Sequence, residues 1–261
     1  MVEEILSSVE ELGYAIINEL KSSSSTIVAQ TVLQKDRKVI KITSKESQEL
    51  AILQLIGGQD RIITLQNTQT ICVENQELLL LEFPFIENFQ IESNRELKAF
   101  TYQLVETMMF LHENGIYYRD FKRDNILWDG QNLTLIDFSH SMIYKDNENY
   151  PTKACVGTKG YKAPEVKDKD RTSDIRADVW SVGMVFVYEW VRFNVSPWTA
   201  SHILQDTEYY ELLRDMRVVF HAPRYVISLI TGMLHPDPNK RLSGPSILQH
   251  NYFSSIIVKK H

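Results

Sequence analysis

The sequence predicts an α+β fold of two lobes, a small strand-rich one followed by a larger helical one. Three observations carry this expectation. Short apolar runs bounded by turn residues fill positions 14–82, with one helical stretch among them. After Pro84 the apolar spacing becomes that of a helix, Leu97, Phe100, Leu104, Met108 and Leu111 recurring every three or four residues. From Arg176 onward helical patterns dominate. Strands first and helices later is the order of an α+β arrangement rather than an alternating α/β one. The change near Pro84–Asn88 sets the expected boundary, with one lobe over residues 1–84 and the other over 85–261. At 261 residues the chain is long enough for two small lobes or one large domain.

The elements follow in order. Residues 1–13 read as a short helix with Ile5, Leu6, Val9 and Leu12 on one face. Tyr14–Leu20, Thr26–Leu33 and Lys38–Ile42 read as strands. The serine run Ser22–Ser25 separates the first two, and Lys35-Asp36-Arg37 is the expected turn before the third. Ser44–Ile56 reads as a helix stopped by Gly57-Gly58. Strands return near Thr68–Val73 and Glu77–Glu82, and a long helix ends near Gly115. Val179–Val191 is the longest apolar stretch. It is too short to span a bilayer and contains Glu189, so it reads as a buried helix.

Composition narrows the function classes. The net charge of −6 gives no sign of the basic face of a nucleic-acid binder, so no direct nucleic-acid partner is expected. Met1-Val2-Glu3-Glu4 lacks the basic start of a signal peptide, and no membrane association is expected. The two cysteines, Cys72 and Cys155, suit a reducing compartment and read as small apolar fillers.

One constellation carries chemistry. Tyr118-Arg119-Asp120-Phe121-Lys122-Arg123-Asp124-Asn125 precedes apolar Ile126-Leu127, and Asp137-Phe138-Ser139 follows apolar Leu135-Ile136. Phosphoryl transfer to a hydroxyl needs one carboxylate to orient the attacking group and further oxygen ligands for magnesium, a hard cation. Asp120 is the expected hydroxyl-orienting base, Asn125 and Asp137 the metal ligands, and Lys122 the cation that steadies the transferring phosphate. Singly, each is an ordinary surface residue; the order and spacing together point to this chemistry.

These residues resemble the catalytic loop and metal-binding segment of eukaryotic protein kinases. The resemblance implies the bilobal kinase fold, ATP and Mg2+ as cofactors, and a protein substrate. It extends to Ala163-Pro164-Glu165, to Asp178-Val179-Trp180-Ser181-Val182-Gly183, and to Arg241, which in that family pairs with the glutamate matching Glu165. Small-molecule kinases lack the Ala-Pro-Glu segment. Lys122 is typical of the serine/threonine branch, and Tyr118, where histidine is commoner, reads as a packing residue. In the first lobe Lys41 matches the strand lysine that contacts the α and β phosphates. Glu49 matches its helix partner, with Glu46 as an alternative, and Leu53 should face the core one turn on. The resemblance thus assigns Lys21, Ser23, Val28, Lys41, Glu82, Asn125 and Asp137 to nucleotide binding, with Lys41 and Glu49 joining Asp120 and Lys122 in catalysis.

The chain departs from the pattern at the phosphate-covering loop, where Lys21, Ser23 and Thr26 replace all three glycines ahead of Val28. Glycine lets backbone amides approach a phosphate closely. Serine can substitute in part, or the segment is a solvated turn. Ser139 also replaces a glycine and should restrict flipping of the metal segment. A pseudokinase acting as a binding module is therefore the alternative to an active enzyme.

Three stretches are similar to the cell-division-cycle-seven kinase family. They are Gly157–Val166, Glu49–Asp60 and Glu82–Phe89. That likeness implies a role in DNA replication or the cell cycle with helicase subunits as substrates, and of a nuclear or cytoplasmic location it favours the nuclear one. It also implies an activator resembling dumbbell former four, although the family's long inserts are missing from this chain. A short helix carrying Glu49 and a glycine-free loop likewise suggest a lobe that a partner must brace. Thr158, Lys159 and Lys162 are the expected substrate contacts, and the two lysines should favour an acidic residue after the acceptor, unless they are simply solvated. Arg119 occupies the place that often holds a phosphorylated loop residue; Asp146 and Glu148 are expected to supply that charge without modification.

Overall fold

The structure, a computed structural model, describes residues 2–22, 26–45, 48–59, 61–74, 76–145, 150–168, 170–206 and 209–254. Ser23, Glu46, Asp60, Asp146 and Glu148, all named above, lie outside the described residues. The fold has a strand-rich first unit and a helical second one, the α+β order expected. Internal contacts divide the chain into compact units of residues 1–87 and 88–261.

The first unit opens with α1 (Val2–Glu11) and β1 (Ala15–Ser22), β2 (Thr26–Leu33) and β3 (Asp36–Ser44). Then come α2 (Glu49–Ile56), β4 (Asn67–Val73) and β5 (Gln76–Pro84). The strands form one antiparallel sheet in the order β1-β2-β3-β5-β4. Side chains alternate across a strand. Ile27, Ala29, Ile40, Ile42, Leu78, Leu80, Ile71 and Val73 therefore share one buried cluster, onto which α1 lays Ile5 and Val9, and Tyr14 follows. Burying each side chain of that size contributes about 1.5–3 kcal/mol. Lys41 points to the other face, directly opposite Val28 on β2 and Leu81 on β5.

Several boundaries differ from the sequence reading, each for a local reason. The turn before β3 is Gln34-Lys35, both at positive φ, and Asp36 already pairs with Leu33; a two-residue hairpin of this hand demands that backbone. Thr43 and Ser44 pair with Leu79 and Leu78, so β3 continues to Ser44 and the helix starts only at Glu49. Leu12, expected on the apolar face of α1, lies beyond its end and is exposed. Neither cysteine is a filler. Cys72 sits between buried Ile71 and Val73 on β4 and so faces outward, and Cys155 is exposed in a loop.

The second unit begins with α3 (Asn94–Glu113), capped by Ser93, whose hydroxyl accepts from Glu96 N at 3.1 Å while Glu96 returns a carboxylate to Glu92 N. Short strands β6 (Ile116–Tyr117), β7 (Ile126–Trp128), β8 (Leu133–Leu135) and β9 (Met142–Ile143) pair as β6-β9 and β7-β8. Six helices follow. They are α4 (Pro164–Lys167), α5 (Arg176–Asn194), α6 (Pro197–Asp206), α7 (Tyr209–Arg214), α8 (Arg224–Met233) and α9 (Gly244–Leu248). Nearly every residue of α5 from Ala177 to Val191 is buried, Asp178 and Glu189 included. No described helix is long and apolar enough to cross a membrane.

Candidate active site

In the first unit β3 and α2 bring Lys41 and Glu49 together. The Lys41 ammonium lies 2.7 Å from each Glu49 oxygen, and both side chains are buried. A buried charge of this kind persists only when paired. Leu53 is buried one turn on from Glu49. Val28 shares the sheet face of Lys41 as its cross-strand neighbour, and Lys21 pairs with Val28 along β1. Glu82 is committed elsewhere. Its carbonyl accepts from Gln66 N at 2.9 Å, and its carboxylate accepts from the Tyr14 hydroxyl at 2.5 Å, with Lys38 3.5 Å away. Both polar groups help hold the sheet and the N-terminal segment together.

In the second unit three of the expected residues surround the carboxylate of Asp120, which lies in the chain between β6 and β7. Asp120 Oδ1 accepts from the Thr158 hydroxyl at 2.7 Å. Asp120 Oδ2 accepts from Asn125 Nδ2 at 3.0 Å and lies 2.8 Å from the Lys122 ammonium. Lys122 also donates to Thr158 Oγ1 at 2.9 Å. A carboxylate offers about four acceptor sites. Thr158, Asn125 and Lys122 use three, so one remains for an incoming hydroxyl.

Asn125 and Asp137 are brought near each other by register. Ile126 pairs with Leu135, and Ile136 N donates to Asn125 O at 3.0 Å, so both residues flank the same end of the β7-β8 pair. Asp137 has a left-handed backbone, φ +59°, and its Oδ1 accepts from the Ser139 hydroxyl at 2.7 Å. Phe138 is fully buried, edge-on to Tyr118 with ring centroids 5.3 Å apart. Tyr118 also packs against Phe121, the rings tilted 46° with centroids 4.5 Å apart, and donates its hydroxyl to Ile136 O at 2.5 Å.

Residues outside the expected catalytic and binding set shape this loop. Arg119 also takes a left-handed backbone, φ +70°, directly before Asp120. Such strain persists when the surroundings over-determine it. Asp178, fully buried on α5, supplies that restraint. Its carboxylate accepts from Tyr118 N at 3.1 Å and Arg119 N at 2.9 Å, with His112 Nε2 at 3.0 Å. Gly157 is required beside it, because a Cβ there would stand 2.5 Å from Arg119 O. Arg123 donates to Glu189 at 2.6 Å and to Asn88 at 3.3 Å, and Asn88 accepts from Trp128 N at 3.0 Å. The signal for Glu189 was present in the sequence: a carboxylate inside an apolar run must find a partner.

A family model described as "Protein kinase domain" matches residues 13–253. The chain belongs to the protein kinase domain family. Among curated relatives, "Probable serine/threonine-protein kinase PLK" of Dictyostelium discoideum is 27% identical over 253 residues, covering 91% of this chain and 24% of that protein. "Phosphorylase b kinase gamma catalytic chain, liver/testis isoform" of Rattus norvegicus is 27% identical, covering 78% of this chain and 53% of its own length. "CBL-interacting protein kinase 28" of Oryza sativa subsp. japonica is 28% identical, covering 85% and 52% respectively. The chain thus spans between about a quarter and about half of the length of these relatives.

Kinase membership implies ATP as phosphate donor and Mg2+ as the usual metal. The donor set fits. Among the described residues no cluster of three or more His, Cys, Asp or Glu could enclose a metal. Asn125 and Asp137 instead offer an amide and a carboxylate oxygen, and Mg2+ is commonly held by one or two such side chains plus phosphate oxygens and water. The segment expected to touch substrate is tied to the Asp120 loop through Thr158. Lys159 is exposed, whereas Lys162 donates to Cys155 O at 3.3 Å. Arg241 forms a two-pronged buried pair with Glu165, at 2.5 and 2.7 Å, as the resemblance implied. Arg119 donates through Nε to His140 O at 2.6 Å, and burial lowers its pKa.

Proposed function

We propose that this kinase is an active protein-serine/threonine kinase. The observation that carries the reading is the single acceptor site left on Asp120 within the Thr158, Asn125 and Lys122 network. A serine or threonine hydroxyl hydrogen-bonded there is aimed by Asp120 for attack on the γ-phosphorus of ATP. The bond from that phosphorus to the β-γ bridging oxygen breaks, ADP leaves with the electron pair, and the hydroxyl proton passes to Asp120. Lys122 stabilises the transferring phosphoryl charge, and Lys41, oriented by Glu49, holds the α and β phosphates. Mg2+ on Asn125 and Asp137 would neutralise phosphate charge.

The test is radiolabelled phosphate transfer from Mg-ATP to a serine peptide, beside Asp120→Asn. Loss of about two to four orders of magnitude in the variant supports the reading. Signal equal in both refutes it. The second reading, a pseudokinase, draws on Ser139, which ties down the Asp137 carboxylate, and on the absence of glycine at Lys21, Ser23 and Thr26. ATP binding without transfer would favour it.

Finer features belong to the same proposal. The likeness of Gly157–Val166 to the cell-division-cycle-seven segment motivates a cell-cycle or replication role, nuclear placement and helicase-type substrates. Acidic-directed specificity would rest on Lys159 and Lys162, the two cations beside Thr158. Equal rates on Ser-Glu and Ser-Lys peptides would remove it. An activator subunit would act on α2, which has eight residues and no side-chain N-cap, rather than on the sheet face already covered by α1. An isolated chain as fast as any complex would exclude that partner.

A further inference from the structure

Far along the second unit, the turn before α8, α8 itself and the segments after it surround an open cavity of about 810 Å³. Its floor depends on Gly232 of α8. A Cβ there would stand 2.4 Å from Leu242, so the bare backbone lets the following segment dock, with Leu242 N donating to Gly232 O at 2.9 Å. The wall is cationic. Arg217, Arg224 and Lys240 line it with His235 and His250, and no carboxylate is among the lining residues. Among the described residues neither Arg217 nor Arg224 makes an ion pair. Lys240 has only an exposed contact to Asp237 at 4.0 Å, of little energetic value. The Ser228 hydroxyl adds a neutral donor, lying 3.2 Å from His250 Nε2, whereas the Thr231 hydroxyl donates to Ile227 O at 2.8 Å.

Such a cluster is costly by self-repulsion in a chain whose net charge is −6, and an anion relieves it. Nucleic acid and anionic membranes are recognised by broad basic faces. This wall is confined, and guanidinium forks beside a hydroxyl donor match the several oxygens and the −1.5 to −2 charge of a phosphate monoester. We infer that the cavity docks a phosphoserine- or phosphothreonine-bearing peptide segment. A protein kinase produces groups of this class, so the site would retain a phosphorylated product or engage a substrate already modified nearby. The docking itself does not depend on the chain's own catalysis.

The experiment is fluorescence anisotropy of the full chain with a labelled phosphoserine peptide. Its unmodified serine and glutamate forms, inorganic phosphate, and phosphatidylserine vesicles serve as separate arms. The phosphopeptide should bind about tenfold or more tighter than the serine form. Arg217→Glu with Arg224→Glu should abolish that preference while leaving transfer to a short unphosphorylated peptide unchanged. Arg217→Gln with Arg224→Gln gives the same reading should the reversed pair fail to fold. Equal phosphopeptide affinity for variant and parent overturns the inference. So does binding of inorganic phosphate or vesicles without the phosphopeptide.

Discussion

Thr158 was expected to touch substrate, yet its hydroxyl also bridges Asp120 and Lys122. Removing it leaves Asp120 held by Asn125 and Lys122 alone, free to turn from the incoming hydroxyl. Thr158→Ala should lower kcat about 10- to 100-fold, corresponding to about 1.5–3 kcal/mol for lost charge-assisted bonds, while Thr158→Ser retains most of the rate. Steady-state kinetics on one peptide checks both. Tyr14 offers a different test. Burial, with the hydrogen bond and charge of Glu82, pushes its phenol up to about 12. An unfolded tyrosine titrates near 10. The folded state therefore holds the proton more tightly, and this contribution is complete below pH 10 and lost as pH rises through about 12. Urea midpoints should fall more steeply from pH 10 to 12 in the parent than in Tyr14→Phe.

At the scale of elements, α1 is the unexpected structural device. Its apolar pattern was readable, but nothing local said which surface it would cover. It lies on the sheet face opposite to Lys41, so the first unit has its own brace. Val9 is fully buried there. Val9→Asp places an unpaired carboxylate in that cluster and should cost about 3 kcal/mol or more, read as a lower thermal midpoint. The β7-β8 pair shows the converse, where short-range pattern sufficed. Its register sets Asn125 and Asp137 at one end, and the apolar residues that pair were visible beside both. Helix α5 lies between these cases. Its burial followed from its apolar run, whereas the partners of Asp178 and Glu189 did not.

At the scale of the whole molecule, each unit has its own core, and destabilisation should stay local. Amide hydrogen exchange of Val9→Asp should quicken across β1–β5 and leave α5 protected. The pair of Glu165 and Arg241, 76 residues apart, ties the end of the substrate segment to the stretch before α9. Arg241→Ala strands a buried carboxylate and should cost about 3–5 kcal/mol in denaturant unfolding.

By itself the sequence determined the order of strands and helices in the first unit, the kinase membership, and which polar and charged groups stand at positions 41, 49, 120, 122, 125 and 137, because periodicity and motif spacing are short-range properties of the chain. Folding alone decided that α1 covers the sheet, that Glu82 serves Tyr14 and Lys38, that Thr158 reaches Asp120 from 38 residues away, and that Asp178 restrains Arg119. Those contacts join distant segments. A polar or apolar side chain must be satisfied somewhere, and only the packed backbone settles which of many chemically equivalent partners lies within reach.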